Sequence, residues 1–200
     1  MVFSQLQACM EHKTQPIVRP PSNDQVTIKR YLDAGVQTFL IPMVDIPEEA
    51  AAAVSYTRFP PEGVRGFAAS SRPSRYGRIK NYHQNAHQEI CVLVQIESAK
   101  AIDNLEAICA VPGVDGVFVG PGDLSSAIGY LGDQGNEKVV TLIEDLIRRI
   151  VKAGNRPGIL TGDETLARRY IDAGCIFTAI GADTGILVKG ADALRARFKG

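Results

Sequence analysis

Two carboxylates stand where apolar runs of this chain end, and their placement suggests a definite chemistry. The run Cys91–Ile96 (CVLVQI) is closed by Glu97, and Val117–Val119 leads through a Gly-Pro-Gly turn to Asp123. Both runs are apolar at successive positions, the pattern of parallel strands buried on both faces. A carboxylate at the C-terminal tip of such a strand points into the mouth where α/β folds do their chemistry. Two oxygen ligands from different strands suit a hard divalent cation such as Mg²⁺ or Mn²⁺.

The elements that must position these groups alternate almost without a break. Pro16–Val18 reads as a short strand ending at Arg19, and a Ser-Asn-Asp start opens a helix over 24–34 that stops at Gly35. Thr38–Val44 reads as the next strand and Pro47–Thr57 as a helix with proline in its first turn. The stretch 59–90 is irregular, rich in Arg and Ser, with a short helix expected near 80–88. Strand 91–96, helix 98–110, strand 116–119, helix 136–153, strand 157–160, helix 163–173, strand 176–180 and helix 185–199 follow. Repeated βα units of this length imply a parallel sheet with right-handed crossovers. Six strands are visible where a closed (β/α)₈ barrel needs eight, and no linker divides the chain. One domain over 1–200 is expected.

Composition narrows the function classes. The chain has 200 residues, 45% hydrophobic and 22% charged, with Lys+Arg and Asp+Glu both 22. No net field therefore favours nucleic acid or a membrane surface. No apolar run approaches the ~18 residues of a membrane span, and the start, MVFSQLQACMEHK, does not read as a secretory leader. Cys9, Cys91, Cys109 and Cys175 form no C-x-x-C pair; Cys91 and Cys109 read as core residues, and a reducing cytoplasm is the simplest setting. Histidine is scarce: His12, His83 and His87.

Six segments in order resemble the HpcH/HpaI aldolase family of class II, metal-dependent pyruvate aldolases. They are P-I-V-R-P (16–20), I-K-R-Y-L-D-A-G (28–35), F-L-I-P-M-V (39–44), R-F-P-P-E-G-V-R-G (58–66), V-Q-I-E-S (94–98) and G-V-D-G-V-F-V-G-P-G-D-L-S (113–125). The resemblance implies a TIM-barrel-type α/β fold acting on a small 2-oxo acid with Mg²⁺, Mn²⁺ or Co²⁺. It implies metal ligation by Glu97 and Asp123, and substrate contacts from Gln95 and from the backbone N–H groups of Gly122 and Asp123. Arg19 would stabilise the enolate oxyanion, and Asp33 would raise the basicity of a catalytic histidine. It also implies homo-oligomers, hexamers built from trimers, with the C-terminal helix exchanged between neighbours.

These residue types match the reaction. Retro-aldol cleavage of a 4-hydroxy-2-oxo acid leaves a pyruvate enolate, whose charge at the C2 oxygen needs a cation, while a base takes the C4 hydroxyl proton. Each position also has a plainer reading. Asp123 could cap Leu124–Ala127, Arg19 could form a rim ion pair, Gln95 could satisfy neighbouring backbone, and Asp33 could simply end its helix. The family's catalytic histidine belongs to a D-x-E-H-x-P-N motif that these 200 residues do not contain. The expectation is thus a barrel lacking its first two strands, with open edges that favour association. Its function is then either aldol cleavage, or metal and pyruvate binding by a catalytically impaired homologue. Decarboxylation of oxaloacetate, which needs no C4-hydroxyl base, is a narrower third possibility.

Overall fold

Six parallel strands form one sheet whose spatial order is the chain order, β1-β2-β3-β4-β5-β6. The strands are β1 (Ile17–Val18), β2 (Thr38–Ile41), β3 (Cys91–Ile96), β4 (Gly116–Val119), β5 (Pro157–Leu160) and β6 (Phe177–Ala179) in a computed structural model that describes residues 2–199. The helices are α1 (Val2–Cys9), α2 (Gln25–Ala34), α3 (Pro47–Thr57), α4 (Tyr82–Asn85), α5 (Ala99–Asp103), α6 (Leu105–Cys109), α7 (Pro121–Ala127), α8 (Glu137–Lys152), α9 (Glu164–Asp172) and α10 (Asp183–Lys199). The sheet curls into a half-barrel with helices on its convex face.

Strand alternation assigns the two faces. Val92, Val94 and Ile96 of β3 and Val117 and Val119 of β4 are buried under the helices, where α8 contributes Val139, Ile143, Leu146, Ile147 and Ile150. Leu93 and Gln95 lie on the concave face, in register with Gly116 and Phe118, and Glu97 and Gly120 each follow the last paired residue of their strand. The glycines there are spacers. A Cβ on Gly116 would fall 2.8 Å from Leu93 Cδ2, and one on Gly158 would fall 2.7 Å from Phe118 Cδ2.

Three expected elements differ in detail. The second strand ends at Ile41 rather than Val44, because Met43 turns to φ 53° and Val44 then donates to the Gln95 carbonyl at 3.0 Å. Pro42 carries no N–H to continue the ladder. The helix expected over 98–110 is two short helices meeting at Asn104, whose side chain donates to the carbonyls of Asp45 and Lys100. A helix also follows β4 directly: Gly120 is the N-cap of α7, and Asp123 sits in its first turn. Asp123 is therefore not the capping residue of Leu124–Ala127.

Two ion-pair clusters tie the outer helices together. Arg149 forks onto Glu106 at 2.7 and 2.9 Å and also donates to the Ile102 carbonyl. Arg169 bridges Glu137 and Glu144. In α10 no side chain is buried, and Ile186, Leu187, Val188, Leu194 and Phe198 all face outward. No helix among the described residues is long and apolar enough to cross a membrane.

Candidate active site at the strand ends

Glu97 is the centre of the candidate site. It follows the last residue of β3 and is 2% exposed, yet neither carboxylate oxygen has a hydrogen-bond partner. Burial pushes its carboxyl above the ordinary range; the Arg19 charge pulls it back, and the Asp123 charge pushes it further up. The Met43 amide, turned by its left-handed backbone, also faces Glu97 and offsets part of the rise. A buried carboxylate with this little compensation is costly.

Arg19 comes to Glu97 from β1. Its Nη2 lies 3.7 Å from Glu97 Oε1, an ion pair beyond hydrogen-bond reach, while its Nε–H donates to Gln95 Oε1 at 3.0 Å. Gln95 is buried and fixes the guanidinium by that bond, leaving the other half of the Arg19 side chain open to solvent. Gly120 completes the cluster. A Cβ there would fall 2.7 Å from Gln95 Nε2, 2.7 Å from Glu97 Cγ and 2.9 Å from Glu97 Oε1. Its N–H donates to the Ile96 carbonyl at 3.0 Å, so the ladder continues one residue past β4 and presses bare backbone against both side chains. Sequence reasoning saw the Gly-Pro-Gly turn but missed this role, for which the only signal was a glycine one residue past an apolar run.

The neighbouring strand end is held separately. Ser98, the N-cap of α5, donates its hydroxyl to Asp45 Oδ1 at 2.5 Å and accepts from the Ala101 amide. Asp45 thus pins the residue after Glu97 to the end of β2. Asp123 and Gly122 are both exposed on α7, beside the mouth. Leu160, the last residue of β5, is 46% exposed.

Arg19, Gln95, Glu97, Gly122 and Asp123 therefore gather at the C-terminal ends of β1, β3 and β4. Asp33 does not join them. It lies at the end of α2, before the turn into the N-terminal end of β2, where Lys29 Nζ reaches it and Arg65 Nη2 lies 3.8 Å away.

Comparisons with known proteins place the chain in a family. A profile of the HpcH/HpaI aldolase/citrate lyase family matches residues 1–190. The chain belongs to that family. It is 53% identical to a pyruvate aldolase of Rhizobium etli over 197 residues, covering 98% of this chain and 78% of that protein. It is 50% identical to a 4-hydroxy-2-oxo-heptane-1,7-dioate aldolase of Salmonella heidelberg, covering 98% of this chain and 75% of the relative. Among solved structures, an HpcH/HpaI aldolase/citrate lyase family protein from Burkholderia cenocepacia superposes with a TM-score of 0.93 at 37% identity. That match covers 100% of this chain and 80% of the other. That relative therefore shares the fold of this chain.

Proposed function

We propose that this chain is a carbon–carbon lyase of the class II aldolase type, releasing pyruvate and an aldehyde from 4-hydroxy-2-oxo acids. The observation that carries the proposal is Glu97, a buried carboxylate with both oxygens unpartnered, facing a second carboxylate and a fixed guanidinium. A divalent cation is the ligand that relieves such a site, and hard oxygen donors fit Mg²⁺, Mn²⁺ or Co²⁺. Glu97 and Asp123 would hold it. Bound there, the ion supplies Lewis-acid stabilisation of charge on the substrate's C2 oxygen.

The chain's own residues do the rest. Arg19, held by Gln95, brings a second positive charge to the oxyanion that forms as the C3–C4 bond breaks. Gln95 orients that guanidinium and offers its amide to the bound 2-oxo acid. The N–H groups of Gly122 and Asp123, in the first turn of α7, would take the substrate carboxylate. Together these fix the substrate before bond cleavage.

One observation favours a second reading, in which the chain binds metal and pyruvate without aldol turnover. The histidines at hand do not sit at the strand ends. His83 packs on Phe59 and Phe67 and its Nε2 meets the Ala68 carbonyl at 3.2 Å; the segment it belongs to joins the end of α3 to the start of β3. His87 lines a pocket together with His83, Phe59 and Phe67, and His12 lies beside the turn into β2. Asp33, in turn, faces Lys29 and Arg65 rather than a histidine.

A paired assay separates the readings: Mn²⁺-dependent decarboxylation of oxaloacetate, and retro-aldol cleavage of 4-hydroxy-2-oxoheptanedioate. Both activities support the aldolase. Decarboxylation alone supports the impaired homologue, and absence of both, with no Mn²⁺ binding, removes either. The same proposal takes the six strands as part of a (β/α)₈ barrel, the chain as a cytoplasmic homo-oligomer, and the outward apolar residues of α10 as surface covered by a neighbouring copy.

A further inference from the structure

The end of the sheet opposite the candidate active site carries a concentration of positive charge. A groove of about 980 Å³ runs between α1 and the irregular segment before β3, at the N-terminal ends of the strands. Its wall includes His12, Arg72, Arg75, Arg78 and Lys80, with Glu89 as the single acid. The stretch R-P-S-R-Y-G-R-I-K (72–80) holds four full positive charges and no negative one, in a chain whose net charge is zero. None of these four cations forms an ion pair among the described residues, whereas Arg19, Lys29, Arg65, Arg148, Arg149 and Arg169 all do. Other cations of the chain also lack an ion pair; what sets this stretch apart is four of them within nine residues with no acid among them.

Arg72 adds an independent sign. It is half-buried, and its Nη1 is buried without a hydrogen-bond partner. Its Nη2 meets only the Met10 thioether, a weak acceptor, and its guanidinium lies 4.9 Å from the Phe3 ring. A guanidinium packed against an aromatic face and left with spare donors is suited to a planar or tetrahedral oxyanion. Arg78 donates to the Arg75 backbone carbonyl at 3.1 Å, and among the described residues nothing engages the Arg75 guanidinium. Three of the four non-glycine residues with positive φ in the described chain, Arg75, Tyr76 and Asn81, also shape this wall.

We propose that this groove binds a small, multiply charged oxyanion, a phosphate ester or a polycarboxylate, with Arg72 and Arg75 as its principal contacts. The site is separate from the candidate aldolase centre, because the groove abuts the turn into β2 and the residues just before β3, while Glu97 follows the far end of β3.

The test is calorimetric titration of the full chain, free of divalent metal and at constant ionic strength, with inorganic pyrophosphate in one arm and tricarballylate in the other. Saturable binding of one anion per chain is expected, and the tighter arm names the source chemistry. Arg72→Gln should weaken it at least tenfold. Arg75→Gln and Arg78→Gln alter exposed side chains and serve as variants that keep the fold; the first should weaken binding several-fold. Arg19→Gln should leave it unchanged. No saturable binding in either arm, binding untouched by Arg72→Gln and Arg75→Gln, or loss in Arg19→Gln would overturn the proposal.

Discussion

Gly120 and Glu97, each one residue past the end of its strand, approach so closely that no space is left for a methyl group: a Cβ on Gly120 would lie 2.7 Å from Glu97 Cγ. The clash is with the first atoms of a buried side chain, and Gln95 blocks the other direction at 2.7 Å. Gly120→Ala should therefore displace Glu97 and Gln95 together. We expect a loss of about 1–3 kcal/mol in stability, as for overpacking elsewhere, and at least a tenfold loss of Mn²⁺ affinity. Urea denaturation and a Mn²⁺ titration check the two effects; unchanged affinity would show that Gly120 does not set the position of Glu97.

Removing the buried charge separates stability from binding. Glu97 has no hydrogen-bond partner and only a 3.7 Å ion pair with the half-exposed Arg19, so Glu97→Gln should leave the melting temperature equal or raised, as happens when a weakly compensated buried charge is neutralised. The wild type should gain thermal stability with Mn²⁺ and lose that gain on chelation, whereas the variant should respond to neither. Thermal denaturation with and without Mn²⁺ decides this. A variant still stabilised by the ion would take Glu97 out of the ligand set.

Arg19→Lys tests geometry at constant charge. Lysine keeps the cation but loses the planar fork whose Nε–H meets Gln95. Decarboxylase turnover should fall about 10²-fold, the scale of a lost oxyanion donor, with little change in stability because half the side chain is exposed. Steady-state kinetics on oxaloacetate is the measurement; wild-type turnover would reduce Arg19 to a rim ion pair.

How much of this was legible in the residues follows from what each signal depends on. Glu97 and Asp123 could be placed because β3 and β4 are apolar on both faces, which marks where strands end. Pro42 was a sequence signal for the end of β2 that the apolar run F-L-I-P-M-V masked, whereas the left-handed turn at Met43 has no local signal. The split at Asn104 depends on a side chain reaching the Asp45 carbonyl 59 residues away, information no local window contains. Asp33 was read from its motif alone, and only the topology shows it at the opposite end of the sheet from Glu97. Gly120 looked like an ordinary turn residue because its neighbours belong to another strand.

Acid should loosen one helix contact before the core. The Arg149 fork holds the Glu106 carboxyl down at about 2, against an ordinary 4.5. A carboxyl depressed in the folded state contributes stability that is complete above its ordinary value and is lost as pH falls toward the folded one. The Glu106 side chain is 56% exposed, so solvent screening limits the contribution to about 0.5 kcal/mol. The stability difference between wild type and Glu106→Gln, from urea melts, should shrink as pH falls from 4.5 to about 2. An unchanging difference would mean that the ion pair does not hold α6 to α8.

Because strands stack in the order they are made, every candidate ligand-contacting group lies between Arg19 and Asp123, on or next to β1, β3 and β4. Nothing from β6 or α8–α10 enters the cluster. A metal or 2-oxo acid held there stabilises only those molecules in which the first four strands are docked. Amide protons of β1–β4 should then exchange more slowly on binding while those of β6 and α10 stay at their own rates. The chain would behave as two thermodynamic regions in one sheet, the earlier one tightened by its ligand and the later one indifferent to it.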